Sequence, residues 1–244
     1  SELILQKTLI DLQKQLKIQV LKDGGHEERS ASYHILMLER LLEVACVLKI
    51  TNRNIPIWLD QNIKLMLDWT KNVRIGKESF PRFNDSPEDG CSNINTVLKF
   101  GNSFLKNESH NLEGLRLLLL TNGLEIKKGS IKTIDLKKRE ICNLPETGWI
   151  IHRPNNYWEF ISKCGQSCPK DLPAHVHSDL LSFDIFYKGE PVISEVGTSI
   201  YGNNSLRQIE RSSMSHNTIQ LGSFSSIRKK INWIEPVEVW GNFR

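Results

Sequence analysis

The feature that most constrains the fold is a change of periodicity near residue 123. Before it, apolar residues recur at helical spacing. After it, short strand-like runs alternate with turn residues. Helices first and strands afterwards predict an α+β chain or separate α and β domains, not an alternating parallel-sheet fold. We place the boundary at 124, with a helical part over 1–124 and a β part over 125–244.

In the first part, Leu5, Leu9, Leu12, Leu16 and Val20 mark one face of a helix over 3–21, and Asp23-Gly24-Gly25 stops it. Ser30 caps a second helix whose apolar face holds Leu38, Leu41, Leu42 and Ala45. A third carries Ile57, Leu59, Ile63, Leu67 and Trp69. Residues 73–91, rich in Gly, Pro, Asn and Asp, form a long loop of the kind that is usually functional or disordered. Another helix starts at Ser92 or Asn93 and runs to Phe104, and a short one is expected over 111–122. In the second part, runs at 149–152 and 157–161 flank Pro154-Asn155-Asn156, and runs at 180–187 and 191–193 flank Lys188-Gly189-Glu190. Both read as hairpins. Strands are also expected over 217–221 and 234–240.

Composition narrows the function classes. The net charge of +4 is mild and spread along the chain, with no basic arm or stripe of the sort that nucleic acid demands. A slightly basic surface also suits a polyanionic polysaccharide. No run approaches the roughly 20 apolar residues of a membrane span. Five cysteines do not complete a disulfide framework, and Cys164 and Cys168 read as a chance pair. The chain starts inside an amphipathic helix and ends abruptly on Trp240-Gly-Asn-Phe-Arg244, so a piece of a longer protein is expected.

Three stretches carry chemistry. In Ala174-His-Val-His-Ser-Asp-Leu-Leu-Ser-Phe-Asp184, His175 and His177 are two apart. On a strand they face one side, at the entrance to a sheet. Glu195, Tyr201 and His216 follow. His177, Glu195 and His216 together offer the imidazoles and carboxylate that zinc accepts, unless these loop residues never meet. In Asp23-Gly-Gly-His-Glu-Glu-Arg-Ser-Ala-Ser-Tyr-His34, Tyr33 and His34 fall in the first turn of a helix, where partial positive charge favours a tyrosinate and a neutral imidazole. The plain alternative is a packed Tyr and a solvated His. In Phe80-Pro-Arg-Phe-Asn-Asp-Ser-Pro-Glu-Asp-Gly90, Arg82 suits a carboxylate, and Asn84 and Asp85 suit sugar hydroxyls. Asx-turn chemistry explains the same residues.

These stretches, with GEPVISEVGTSIYG and RQIERSSMSHNT, resemble the heparinase II/III family of polysaccharide lyases, in the family's order and over most of the chain. The resemblance implies an (α/α) toroid followed by an antiparallel β-sandwich, with the cleft between them. It implies β-elimination on an acidic, uronate-containing polysaccharide, a glycosaminoglycan or an alginate-like polymer. Tyr33, His175 and Tyr201 take catalytic positions, and His34, Arg82, Asn84 and Asp85 lie near substrate. His177, Glu195 and His216 fall on a structural zinc site, where the usual carboxylate is Asp and Glu195 is one methylene longer. The family's carboxylate-neutralising Asn-His pair is expected upstream of residue 1. A periplasmic, cell-envelope or secreted location is implied. Two rival readings remain: a carbohydrate-binding or polysaccharide-assembly protein on the same scaffold, and a metal-dependent hydrolase built on the His/Glu/His set.

Overall fold

The structure, a computed structural model, describes residues 2–106, 140–169, 172–202, 204–219, 227–230 and 233–236. Among these, the helices are α1 (Glu2–Gln19), α2 (Ala31–Ile50), α3 (Ile57–Val73), α4 (Ile94–Lys106) and, later, the short α5 (Ser205–Glu210). The strands are β1 (Ile141–Leu144), β2 (Trp149–His152), β3 (Trp158–Lys163), β4 (Phe183–Tyr187), β5 (Glu190–Ile193), β6 (Ile227–Lys230) and β7 (Trp233–Pro236). The expected helix over 111–122 and the boundary at 124 lie outside the described residues.

Helix boundaries follow from local chemistry. α1 ends at Gln19, before the expected Asp23-Gly24-Gly25 stop, because Val20 pairs with His26; Gly24, at φ +94°, makes the turn between them in a conformation that β-carbons resist. Ser30 caps α2: its hydroxyl accepts a hydrogen bond from Tyr33 N at 3.3 Å. Asn93 Oδ1 accepts from Asn95 N and Thr96 N, which fixes the start of α4. The predicted faces of α2 and α3 are buried, with Leu38, Leu42, Ala45, Leu59 and Ile63 at or near zero exposure.

β1 to β5 form an antiparallel meander in sequence order. Both expected hairpins are present, and Lys188 and Gly189 turn the second with positive φ at both positions, as tight hairpins require. Alternation turns Cys142, Leu144, Trp149, Ile151, Ile161 and Phe186 toward the helices, into one core with α1–α4. Trp149 seals the joint, its ring 5.3 Å from Trp69 and 5.2 Å from Phe83. The opposite face carries a ring row of its own, with Trp158 stacked near Phe160 and tilted against Tyr187. β6 and β7 form a separate hairpin.

Two expectations fail. The stretch holding His175 and His177 is turn and irregular backbone, and β4 begins only at Phe183. Leu181 is left-handed at φ +64°, which breaks any strand there. Residues 217–219 are not strand either: Asn217 N donates to Glu195 and Thr218 Oγ1 to Leu180 O, so side chains and loops take their polar groups.

Polar networks also bridge helices and sheet. Thr147 N and Oγ1 donate to Asp23 at 2.7 and 2.9 Å, and Trp69 Nε1 donates to Thr147 at 3.0 Å. Fully buried Lys163 donates to Asn84 Oδ1 at 2.6 Å and to Asp179 at 2.5 Å. Arg153, on the sheet side, donates to Asn72 O at the end of α3. The Lys163–Asn84 bond places the 79–87 loop against the sheet, and the site forms beside it.

Candidate active site between helices and sheet

Asp85 is the centre of the site. Its backbone N donates to His175 O at 3.0 Å, and its carbonyl accepts from Ser30 Oγ at 2.5 Å, so the main chain is fixed on both sides. Its carboxylate receives His175 Nδ1 at 2.9 Å, His177 Nε2 at 2.7 Å, Thr198 Oγ1 at 3.0 Å and both Arg207 Nη atoms at 2.5 Å. Burial alone would raise its pKa. The bonds from His175, His177 and Arg207 outweigh burial and hold Asp85 far below the usual carboxylate range. Asp85 is therefore an anion that only accepts hydrogen bonds. It follows that His175 carries a proton on Nδ1. His177 carries its proton on Nε2, leaving Nδ1 bare.

His175 meets Tyr33 at the cleft, ring centroids 4.5 Å apart. Tyr33 Oη lies 3.1 Å from Tyr201 Oη, which joins the first turn of α2 to the segment after β5. Tyr201 is 48% exposed, so this pair is open to a ligand. Burial raises the pKa of Tyr33, with Tyr201 opposing and Asp85 and Glu28 adding to the rise. Tyr201 is raised further, again chiefly by burial. Both phenols are neutral at rest. Desolvation outweighs the helix N-terminus, which on sequence grounds favoured tyrosinate. Glu28 Oε2 stands 3.8 Å from His175 Nε2, and burial raises its pKa.

The residues expected near substrate divide. Arg82 is partly open and pairs with Glu88. His34, Asn84 and Asp85 are inside. His34 Nε2 donates to Met66 O at 3.2 Å and lies 2.8 Å from Thr70 Oγ1, against Trp69. It points into the helix core because it is one residue past Tyr33 on α2. Asn84 binds the carbonyls of Glu28, Arg29 and Ser167 through Nδ2 and anchors Lys163 through Oδ1. It takes φ +55° to do so. Asn84 thus braces the loop beneath the cleft, while His34 belongs to the helix core.

Among the described residues no three His, Cys, Asp or Glu side chains converge as a metal cage. What His177, Glu195 and His216 do provide is narrower. Glu195 accepts from His216 Nδ1 and from Asn217 N, on the side of the ring away from His216 Nε2. His216 Nε2 and His177 Nδ1 are both buried without a hydrogen-bond partner, with their rings 5.3 Å apart. Burial holds His177 below its usual pKa despite Asp85, so it is neutral. These two buried imidazole nitrogens are two of the four donors that a structural zinc site takes, and each ring is held by a carboxylate at its other nitrogen. In this arrangement Glu195 orients His216.

Sequence reading missed Arg207, Thr198 and Glu28. Arg207 and Thr198 lie 122 and 113 positions from Asp85, and no local pattern announces them. Glu28 stood inside a stretch already singled out, four residues after Gly24-containing turn chemistry, with nothing to separate it from Glu27.

Comparison with known proteins agrees with this architecture. The pattern of the heparinase II/III N-terminus matches residues 5–110, and that of the heparinase II/III-like C-terminal region matches 137–244. The chain belongs to the heparinase II/III family. No curated protein sequence matches it. Among solved structures, a heparinase III aligns over 89% of this chain and 35% of its own, at 18% identity and TM-score 0.66. Another heparinase III aligns over 88% and 33%, at 19% identity and TM-score 0.66. Heparan sulfate lyase HepC from Pedobacter heparinus aligns over 85% and 31%, at 18% identity and TM-score 0.62. The chain spans about a third of the length of these structures. The fold class is the expected one: toroid helices followed by an antiparallel sandwich sheet. No helix among the described residues is long and apolar enough to cross a membrane.

Proposed function

We propose that the protein containing this chain is a polysaccharide lyase that cleaves a uronate-containing polymer by β-elimination. The observation that carries the reading is the Tyr33–Tyr201–His175 cluster, assembled at the cleft from both halves of a heparinase II/III fold. In β-elimination a base removes the C5 proton, its electron pair forms the C4–C5 double bond, and the C4–O bond breaks as the departing oxygen takes a proton. His175 Nε2 acts as the base, with the Asp85 anion holding the other ring nitrogen, Nδ1. Tyr33, a neutral phenol, gives its proton to the departing oxygen, and Tyr201 hydrogen-bonds its hydroxyl. Arg82 reaches toward the substrate carboxylate once released from Glu88.

A structural zinc ion would take its protein donors from the expected set of His177, Glu195 and His216, where His177 and His216 offer the unpartnered nitrogens and Asp85 orients His177. When bound it would cross-link the loops before β4 and after α5. The acid–base steps run through His175 and the tyrosines alone. A periplasmic, envelope or secreted setting suits such a substrate.

The test is a pair of variants in the full-length protein. Tyr33→Phe and His175→Ala are each expected to lower the rate of unsaturated-product formation by at least about 100-fold, the scale of one positioned acid or base. Polymer binding should survive. Turnover that persists in both variants would sink the assignment.

A further inference from the structure

Arg207 belongs to none of the roles above, yet it is the most committed side chain at the site. It sits on α5, whose start is fixed by Asn204 Oδ1 accepting from Leu206 N at 2.7 Å. Arg207 is 6% exposed, and its guanidinium grips the two oxygens of Asp85 separately, Nη1 to Oδ1 and Nη2 to Oδ2, each at 2.5 Å. The same group lies 5.3 Å from the centre of the Tyr201 ring. The two oxygens have distinct duties: Oδ1 receives His177 and Oδ2 receives His175, and Arg207 Nη1 also lies 3.3 Å from His177 Nε2. The backbone bonds of Asp85 fix its main chain but not the broad torsion of its carboxylate, which His175, His177 and Thr198 each hold through a single donor. A bidentate guanidinium removes that freedom, because its fork matches a carboxylate in one plane.

We infer that Arg207 is a positioning residue: by holding both oxygens of Asp85 it aims one at the cleft histidine and the other at the metal-site histidine, setting the orientation and tautomer of His175 and His177 together. One buried ion pair then couples the two functional features of the fold. The consequence for turnover rests on the lyase reading; the structural claim does not.

The experiment uses the full-length protein labelled with nitrogen-15 in its histidine rings, as wild type, Arg207→Lys and Arg207→Met. Lys keeps the charge but offers a point donor in place of a fork, and it guards against a Met variant that fails to fold. Wild type should show His175 as a single Nδ1–H tautomer. Both variants should show a mixture, with unfolding temperatures recorded alongside. On a polymer that wild type cleaves, kcat should fall about 10- to 100-fold, the usual cost of losing an orienting partner, with KM little changed. A locked Nδ1–H tautomer in the folded Lys variant would overturn the inference, as would wild-type kcat in either variant. If wild type cleaves no polymer, the lyase reading fails and the ring-nitrogen spectra still decide the role of Arg207.

Discussion

At the scale of single residues, burial decides the protonation states that matter. His34 is pushed down to about 3 by burial, with His26 adding, and His26 to about 4 by burial, with His175 adding. Both are neutral in the folded chain and titrate normally when unfolded. Between those values and about 6.5 the unfolded state binds more protons, so stability falls as pH drops through that window. The thermal unfolding midpoint should therefore decline steeply between about pH 6.5 and 4. His34→Gln, which keeps a donor for Met66 O, should flatten the decline. An unchanged slope in that variant would show that His34 is not the group responsible. The same principle keeps Tyr33 and Tyr201 as phenols, and that state suits an acid.

At the scale of elements, the start of α2 does two jobs. Ser30 Oγ accepts from Tyr33 N and donates to Asp85 O, so one hydroxyl sets both the helix turn that bears Tyr33 and the loop that bears Asp85. Ser30→Ala should cost about 1–2 kcal/mol by denaturant unfolding, since it removes a cap and leaves a buried carbonyl short of a donor. It should also lower kcat, because both sides of the cleft are loosened. The helices were legible because Leu, Ile and Ala recur on one face and Gly24, Ser30 and Asn93 punctuate them. The hairpins were legible from Asn155 and Lys188-Gly189. The irregular run from His175 to Ser182 was not. Its shape comes from bonds to Asp85, Asn84 and Lys163, far away in sequence. An apolar run with two histidines read as a strand because nothing local shows those partners. The acidic and imidazole residue types pointed to a site, but their pairing did not. Asp85 read as a sugar ligand and Glu195 as a metal ligand. In the fold each is the carboxylate behind a histidine.

At the scale of the whole molecule, the cleft exists because helices and sheet share a core and are pinned by buried polar groups. Lys163, Asp179 and Asn84 form the deepest pin, and burial lowers the lysine's pKa while Asp179 opposes it. Lys163→Met leaves Asp179 as an uncompensated buried charge and should destabilise by about 3–5 kcal/mol. Adding Asp179→Asn should recover much of that loss, and no recovery would mean the lysine acts through packing alone. The loop at Asn84 and Asp85 hangs from this pin, so the single variant should also weaken the His175 alignment.

The most direct test of the account is ultraviolet absorbance of a C4–C5 double bond, with the full-length protein and a panel of uronate polymers. The account predicts a growing signal on at least one polymer, abolished by Tyr33→Phe and by His175→Ala. A flat trace from folded wild-type protein on every polymer, with tight polymer binding measured alongside, would contradict the lyase and leave a carbohydrate-binding scaffold.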